Sequence, residues 1–331
     1  MILSWAEEIR GKRIMTARDK ILGIETNMKK VMVGCDEVIR LVMTALLTGG
    51  HVLLEDLPGT GKTTLAKTLA RSLDMTYQRI QFTPDLLPTD ITGLSVYSQA
   101  EGTFTFRPGP VFTNILLADE INRATPRTQS GLLECMEEKQ VTADGATRPL
   151  PSPFFVIATQ NPIETSGTFP LPEAQLDRFL MKLSIGLPDP ENEVRIMERF
   201  LSEGVLESVS PAADDKAIAE AREEIRSVTV SGELMQYIAQ IVSATRKRTD
   251  VEAGVSPRGT LALLHASRSL AFLEGRNYVV PEDIKRLALP VLSHRLVLTR
   301  RYGAGSGQRS VMEEILSRVP VPTENFAGDK K

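Results

Sequence analysis

A chain of 331 residues, 42% hydrophobic and 24% charged, is long enough for two domains and apolar enough to bury a sizeable core. Its net charge of −3 excludes the broad basic field that would hold nucleic acid or an acidic membrane. No apolar run reaches membrane-span length, and Glu7, Glu8 and Arg10 stand where a secretory signal needs apolar residues, so a cytoplasmic protein is expected.

Residues 1–33 are spaced as an amphipathic helix, with Ile21, Ile24, Met28 and Met32 on one face, and Gly34 interrupts it. Cys35 and Cys135 match no metal spacing and are expected as buried thiols of a reducing compartment. His51, His265 and His294 form no ligand cluster. Asp36 is the expected N-cap of a helix through Val38, Leu41, Val42, Ala45 and Leu46, ending at Gly49–Gly50.

The stretch from His51 to Leu69 is the centre of the chain. Val52–Leu54 forms a short buried strand, the loop Pro58, Gly59, Thr60, Gly61 breaks it, and Lys62, Thr63 and Thr64 open a helix carrying Leu65, Leu69 and Leu73. Strand, glycine loop and helix make a phosphate cradle, because loop N–H groups and the positive helix end converge on an anion. Lys62 would pair with the β- and γ-phosphates and the Thr63 hydroxyl would ligate Mg2+. Asp56 stands where G-x-x-x-x-G-K-[ST] has its first glycine and is expected to add negative charge near the loop.

Residues 77–110 read as irregular, with a hairpin formed by Leu94–Tyr97 and Thr103–Phe106. Ile115–Ala118 is a second buried strand that ends in Asp119 and Glu120. Ligands bind beyond the carboxyl ends of parallel strands, so these acids belong beside the phosphate loop. There Asp119 would hold Mg2+ through its water shell and Glu120 would polarise the attacking water. A helix over Pro126–Glu138 is followed by a tight hairpin around Asp144–Gly145, and then by a third strand, Phe154–Ala158, ending in Thr159-Gln160-Asn161-Pro162. Three apolar strands thus end in polar groups that suit one composite site. Leu183–Leu187 is the expected last strand, and the prolines around Asp189 divide the chain into residues 1–188 and 189–331. Beyond that division the period is helical: Val194, Met197 and Leu201 share a face, and Ser231, Ser256–Pro257 and Pro281 open helices.

The segments L-L-E-D-L-P-G-T-G-K-T, L-L-A-D-E-I-N-R-A, A-T-Q-N-P and L-P-E-A-Q-L-D-R-F, in this order, resemble the MoxR family of AAA+ ATPases. The resemblance implies an α/β P-loop NTPase fold, with a parallel five-stranded sheet sandwiched by helices and a small all-helical lid domain. It implies ATP and Mg2+, a homo-oligomeric and usually hexameric ring, and sites shared between neighbours. On this pattern Asn161 matches sensor 1, Arg178 the arginine finger and Arg258 sensor 2, where guanidinium forks suit phosphate oxygens. It further implies a chaperone-like ATPase acting on a protein client, with a von Willebrand factor A domain protein as partner.

A nucleic-acid translocase shares the hairpins, but Arg246-Lys247-Arg248 reads as a solvated helix end and the second hairpin offers only Arg148. A magnesium-chelatase-like motor subunit is mechanistically close, whereas a small-molecule P-loop kinase leaves Arg178 and the lid unexplained.

Overall fold

The structure is a computed structural model that describes residues 15–99, 102–162, 167–201, 204–299 and 306–322. The expected N-terminal helix before residue 15 and the hairpin residue Glu101 lie outside them. Helix α1, Ala17–Val31, is closed at its start by a reciprocal pair. Asp19 N–H donates to Thr16 Oγ1 and Thr16 N–H donates to Asp19 Oδ2, both at 3.1 Å. Its Ile21, Ile24 and Met28 are wholly buried. Helix α2, Asp36–Thr48, starts one residue earlier than expected. Cys35 is its N-cap, and Asp36 joins Glu37 in the first turn, where carboxylates offset the positive helix end.

The core continues with β1 (Val52–Glu55), α3 (Lys62–Ser72), β2 (Tyr77–Gln81), a short α4 (Pro88–Thr92) and the hairpin β3 (Gly93–Ser98) and β4 (Thr103–Pro108). After it come β5 (Ile115–Asp119), a 3-10 turn at Ile121–Arg123, α5 (Pro126–Glu138) and the hairpin β6 (Gln140–Ala143) and β7 (Ala146–Pro149). The core ends with β8 (Phe155–Gln160), α6 (Glu173–Leu176) and β9 (Met181–Leu183). Five strands form one parallel sheet in the order β2-β5-β8-β1-β9. Such a sheet is covered on both faces, which is why its inner strands are continuous apolar runs. Val52, Leu54, Leu117 and Ile157 pack with α1, α2 and α3, while Leu53, Leu116, Val156 and Ala158 pack with α5.

Two strands differ from the sequence reading. Tyr77–Gln81 is the edge strand β2, and only its Ile80 is buried, so no apolar run marks it. The last strand ends at Leu183, where the expected one begins. The N–H groups of Ile185 and Gly186 turn to the Asp56 carboxylate, at 2.8 and 2.9 Å, instead of extending the ladder with β1.

The second part holds α7 (Pro190–Leu201), α8 (Asp215–Arg226), α9 (Gly232–Arg246), α10 (Pro257–Leu273), α11 (Pro281–Leu292) and α12 (Ser306–Arg318). It is a helical lid with one addition, an antiparallel ribbon of β10 (Val251–Ala253) and β11 (Val297–Leu298). Ser231 and Ser256 cap α9 and α10 as their sequences predict. Lid residues Leu270, Leu287 and Met312 join the same apolar cluster as α1, α2 and one sheet face, so lid and core share packing. On α7 the shared face of Val194, Met197 and Leu201 points outward, with exposures of 49%, 57% and 83%.

Candidate nucleotide-binding site

The loop between β1 and α3 has the backbone of a phosphate cradle. Gly59 and Gly61 lie in the left-handed region, at φ +86° and +91°, where a side chain would be strained. No atom would meet a Cβ at Gly59 within 4 Å, so conformation rather than space requires glycine there. Gly61 is the N-cap of α3, whose first N–H groups lack intrahelical partners and face the loop. Lys62 Nζ donates to the carbonyl oxygens of Asp56 (2.9 Å) and Leu57 (3.1 Å), and Thr60 Oγ1 donates to Leu57 O at 3.2 Å. The ammonium therefore lies over the loop on neutral acceptors, and a phosphate oxygen, which carries charge, attracts it more strongly than they do.

Asp56 corrects the sequence expectation. Its carboxylate is buried and accepts hydrogen bonds from Ser184 Oγ (2.8 Å), Ile185 N (2.8 Å) and Gly186 N (2.9 Å). Its charge is thereby satisfied away from the cradle.

The acids sit two strands over, across β8. Thr159 Oγ1 donates to Asp119 Oδ1 at 2.6 Å and accepts from Glu120 N–H at 2.8 Å, so one hydroxyl fixes both residues. Glu120 has a left-handed backbone, φ 56° and ψ 51°, a conformation that costs a non-glycine residue about 1–2 kcal/mol. Such strain concentrates where a side chain must be aimed out of line with its strand. Strand β2 supplies the partners of both acids. Arg79 Nη2 reaches Asp119 Oδ2 at 2.6 Å and Gln81 Nε2 reaches Glu120 Oε2 at 2.9 Å, with Arg123 Nη1 at 3.2 Å from the same oxygen. Arg79 and Gln81 were missed from sequence because their strand was missed. Their alternation on one side of Tyr77–Gln81 is the signal that could have found them. Asn161 follows β8 directly, beside Gln160, whose carbonyl accepts Asp56 N–H at 3.3 Å.

The two sequence-derived arginines lie elsewhere. Helix α5 runs back from the acids, and at its end Met136 O accepts from His51, which directly precedes β1, at 3.0 Å. His51 Nδ1 accepts Val156 N–H at 3.0 Å, so Nε2 carries the proton and the ring is neutral. Burial pushes this imidazole down to about 4. Leu180 N–H donates to His51 O, which places the segment before β9 at the same edge. There Arg178 Nη1 meets Glu137 Oε2 at 2.6 Å, and Arg258 Nη1 meets Glu137 Oε1 at 3.1 Å. Within one chain, then, Arg258, the residue that matches sensor 2, lies away from the phosphate loop, on Glu137. It joins Arg178 at the amino-terminal edge of the sheet, and Pro58–Thr64, Asp119, Glu120 and Asn161 lie at the carboxyl-terminal edge. The lid grips the Arg178 segment: Arg295 Nε binds Asp177 Oδ1 at 2.6 Å, Arg295 Nη2 binds Phe179 O at 2.8 Å, and His294 Nε2 lies 3.1 Å from the same carbonyl.

The donor set suits Mg2+. Thr63 opens α3 and Asp119 ends β5, both offering oxygen, as this hard cation prefers. No group of three or more His, Cys, Asp or Glu residues poised for another metal occurs among the described residues.

Fold and site together define a AAA-type nucleotide-binding core with its lid. Residues 51–181 match the model of the ATPase family associated with various cellular activities, and residues 243–315 match that of the AAA lid domain. YeaC of Bacillus subtilis is 46% identical over 302 residues, covering 91% of this chain and 94% of that one. Chaperone MoxR1 of Mycobacterium tuberculosis is 43% identical over 316 residues, covering 90% and 81%. A crystal structure from Cytophaga hutchinsonii superposes with a TM-score of 0.86 at 41% identity, covering 98% of this chain and all of that one. The chain belongs to the MoxR family of AAA+ ATPases.

Proposed function

We propose that the protein hydrolyses MgATP and uses the cycle to remodel a protein client. The observation that carries this reading is the division of the machinery between two sheet edges. One edge carries the cradle and acids; the other carries Arg178 and Arg258 on one carboxylate. A single chain then has half a site, and a ring of copies, six in the family pattern, completes each cradle with the neighbour's arginines. Lys62, with the loop N–H groups, binds and orients the phosphates, and Thr63 and Asp119 hold Mg2+. The metal supplies charge neutralisation on the phosphate oxygens when bound. Glu120, turned out by its backbone, accepts the proton of a water oriented with Asn161. Arg178 reaches the phosphate of the adjacent copy and Arg258 links its occupancy to the lid, which we place at residues 189–331 after a core at 1–188.

The surfaces favour a polypeptide over nucleic acid. Leu94, Tyr97 and Phe104 are exposed on the β3–β4 hairpin, with the two rings 5.3 Å apart. Arg148 of the second hairpin lies over the Phe106 ring at 3.9 Å, and Arg248 is paired with Asp250 and Glu314. A von Willebrand factor A domain protein as partner, and a cytoplasmic setting, come from the family pattern alone.

The test mixes two inactive variants. Arg178→Ala lacks the finger and Glu120→Gln lacks the base, so a mixed ring contains sites with an intact base and a neighbour's intact finger. Recovery of turnover on mixing supports the shared site, and no recovery rejects it. An ATP-loaded pull-down with Glu120→Gln, run with and without nuclease, then tests the client. A specific protein in the eluate supports remodelling, and nuclease-sensitive material alone rejects it.

A further inference from the structure

Asp56 is held from both ends. Its carbonyl accepts Lys62 Nζ at 2.9 Å, and its carboxylate takes three hydrogen bonds, all between 2.8 and 2.9 Å, from Ser184, Ile185 and Gly186. Those three residues follow β9 and begin the connection to α7, the first helix after the sheet. One residue therefore joins the phosphate-binding lysine to the start of the lid connection. A glycine, the residue of the general loop motif at this position, has no group that could make the second half of that link.

The geometry points to Asp56 as a positioning residue that conveys the occupancy of the phosphate loop to the lid connection. An anion entering the cradle draws Lys62 Nζ from the carbonyls of Asp56 and Leu57. The Asp56–Leu57 and Leu57–Pro58 peptides then lose one hydrogen bond each, and the Asp56 carbonyl, left without its lysine, is free to turn while Thr60 still holds Leu57 O. A turn that shifts the Asp56 Cα carries the carboxylate with it and draws on its three donors. The coupling is reciprocal: a displacement of residues 184–186 changes how readily Lys62 leaves the Asp56 carbonyl, and so changes phosphate affinity by the same factor. Room for such a displacement exists, because a cleft of about 350 Å³ separates the sheet edge from the lid and is lined by Glu55, Lys182, Ser184, Arg286 and His294. The inference rests on the reading that nucleotide phosphates enter this loop.

The test uses the full chain with spin labels on Lys67→Cys in α3 and Gln240→Cys in α9. Cys35 and Cys135 are buried, with the Cys135 thiol pushed up to about 12, so labelling selects the introduced sites. Label separation, affinity and turnover are measured with and without the β,γ-imido analogue of ATP. The unmodified chain should show a separation that changes on binding. Asp56→Gly should bind the analogue within about threefold of it, lose that change and turn over about tenfold more slowly, so that kcat moves more than KM. Asp56→Asn keeps one acceptor oxygen and should recover part of both losses, and Ser184→Ala, which spares the backbone donors, should lose least. If thermal unfolding shows Asp56→Gly to be unfolded, the ordering of the other two variants carries the test. A folded Asp56→Gly, or a folded Asp56→Asn no different from the unmodified chain, that keeps the separation change and full turnover overturns the inference. So does an unmodified chain that binds without any change. A chain that binds no analogue defeats the loop reading itself, a separate failure.

Discussion

The two edges of the central sheet are built from different kinds of contact. At the carboxyl-terminal edge, the groups facing the phosphate position are held by backbone conformation and buried hydrogen bonds: left-handed Gly59, Gly61 and Glu120, and the Thr159 hydroxyl between two acids. At the amino-terminal edge, Arg178 and Arg258 are half-exposed and share one surface carboxylate. Exposed ion pairs contribute only about 0–1 kcal/mol each, so these arginines can change partner at little cost, whereas the first edge is preorganised. On the proposed function, the difference separates an edge that binds nucleotide before assembly from one that acts after it.

The largest effect should come from the exchangeable edge. Arg178→Ala is expected to lower turnover by about 10³- to 10⁵-fold with nucleotide affinity nearly unchanged, checked by steady-state kinetics and titration. A loss of affinity equal to the loss of turnover would erase the proposed division. Glu120→Gln should cost about 10²- to 10⁴-fold in turnover and leave ATP bound, which a filter-binding assay reads directly.

Acid tests the buried His51 at the amino-terminal edge. Unfolded His51 takes its proton near 6.5 and the folded ring only near 4, so the unfolded chain binds more protons between those values. Stability from this ring is therefore complete above pH 6.5 and falls by about 3 kcal/mol as the pH is lowered towards 4. Buried His294, also shifted well below its ordinary value, acts with the same sign. His51→Gln should flatten the pH dependence of the denaturant midpoint relative to the parent chain; an unchanged slope would refute it.

Thr159→Val keeps the shape and removes both hydrogen bonds, and should slow turnover about tenfold by releasing Glu120 from its aim. The smallest effect belongs to Glu137→Gln. With their resting partner gone, the arginines need not leave a carboxylate, and half-maximal turnover should occur at about threefold lower chain concentration.

Much of this was legible in the residues. Runs such as Val52–Leu54 and Ile115–Ala118 announce buried parallel strands, glycines in a Pro-Gly-Thr-Gly-Lys-Thr order announce the cradle, and Ser231 and Ser256 announce helix starts. These signals are local: burial on both faces, positive φ and unpaired N–H groups act within a few residues of their cause. Strand β2 escaped because an edge strand needs no apolar run, and with it went Arg79 and Gln81. Asp56 read as a charge beside phosphate because its three donors lie about 130 residues away. That Arg178 and Arg258 meet on Glu137, at the far edge from their own chain's phosphate loop, depends on how α5, β9 and α10 pack. By itself the sequence determined the buried strands, the phosphate loop and the capped helices, and the chemistry each could carry. Only the tertiary structure decided which groups meet, because hydrogen bonds and ion pairs between distant segments depend on packing that leaves no periodic mark along the chain.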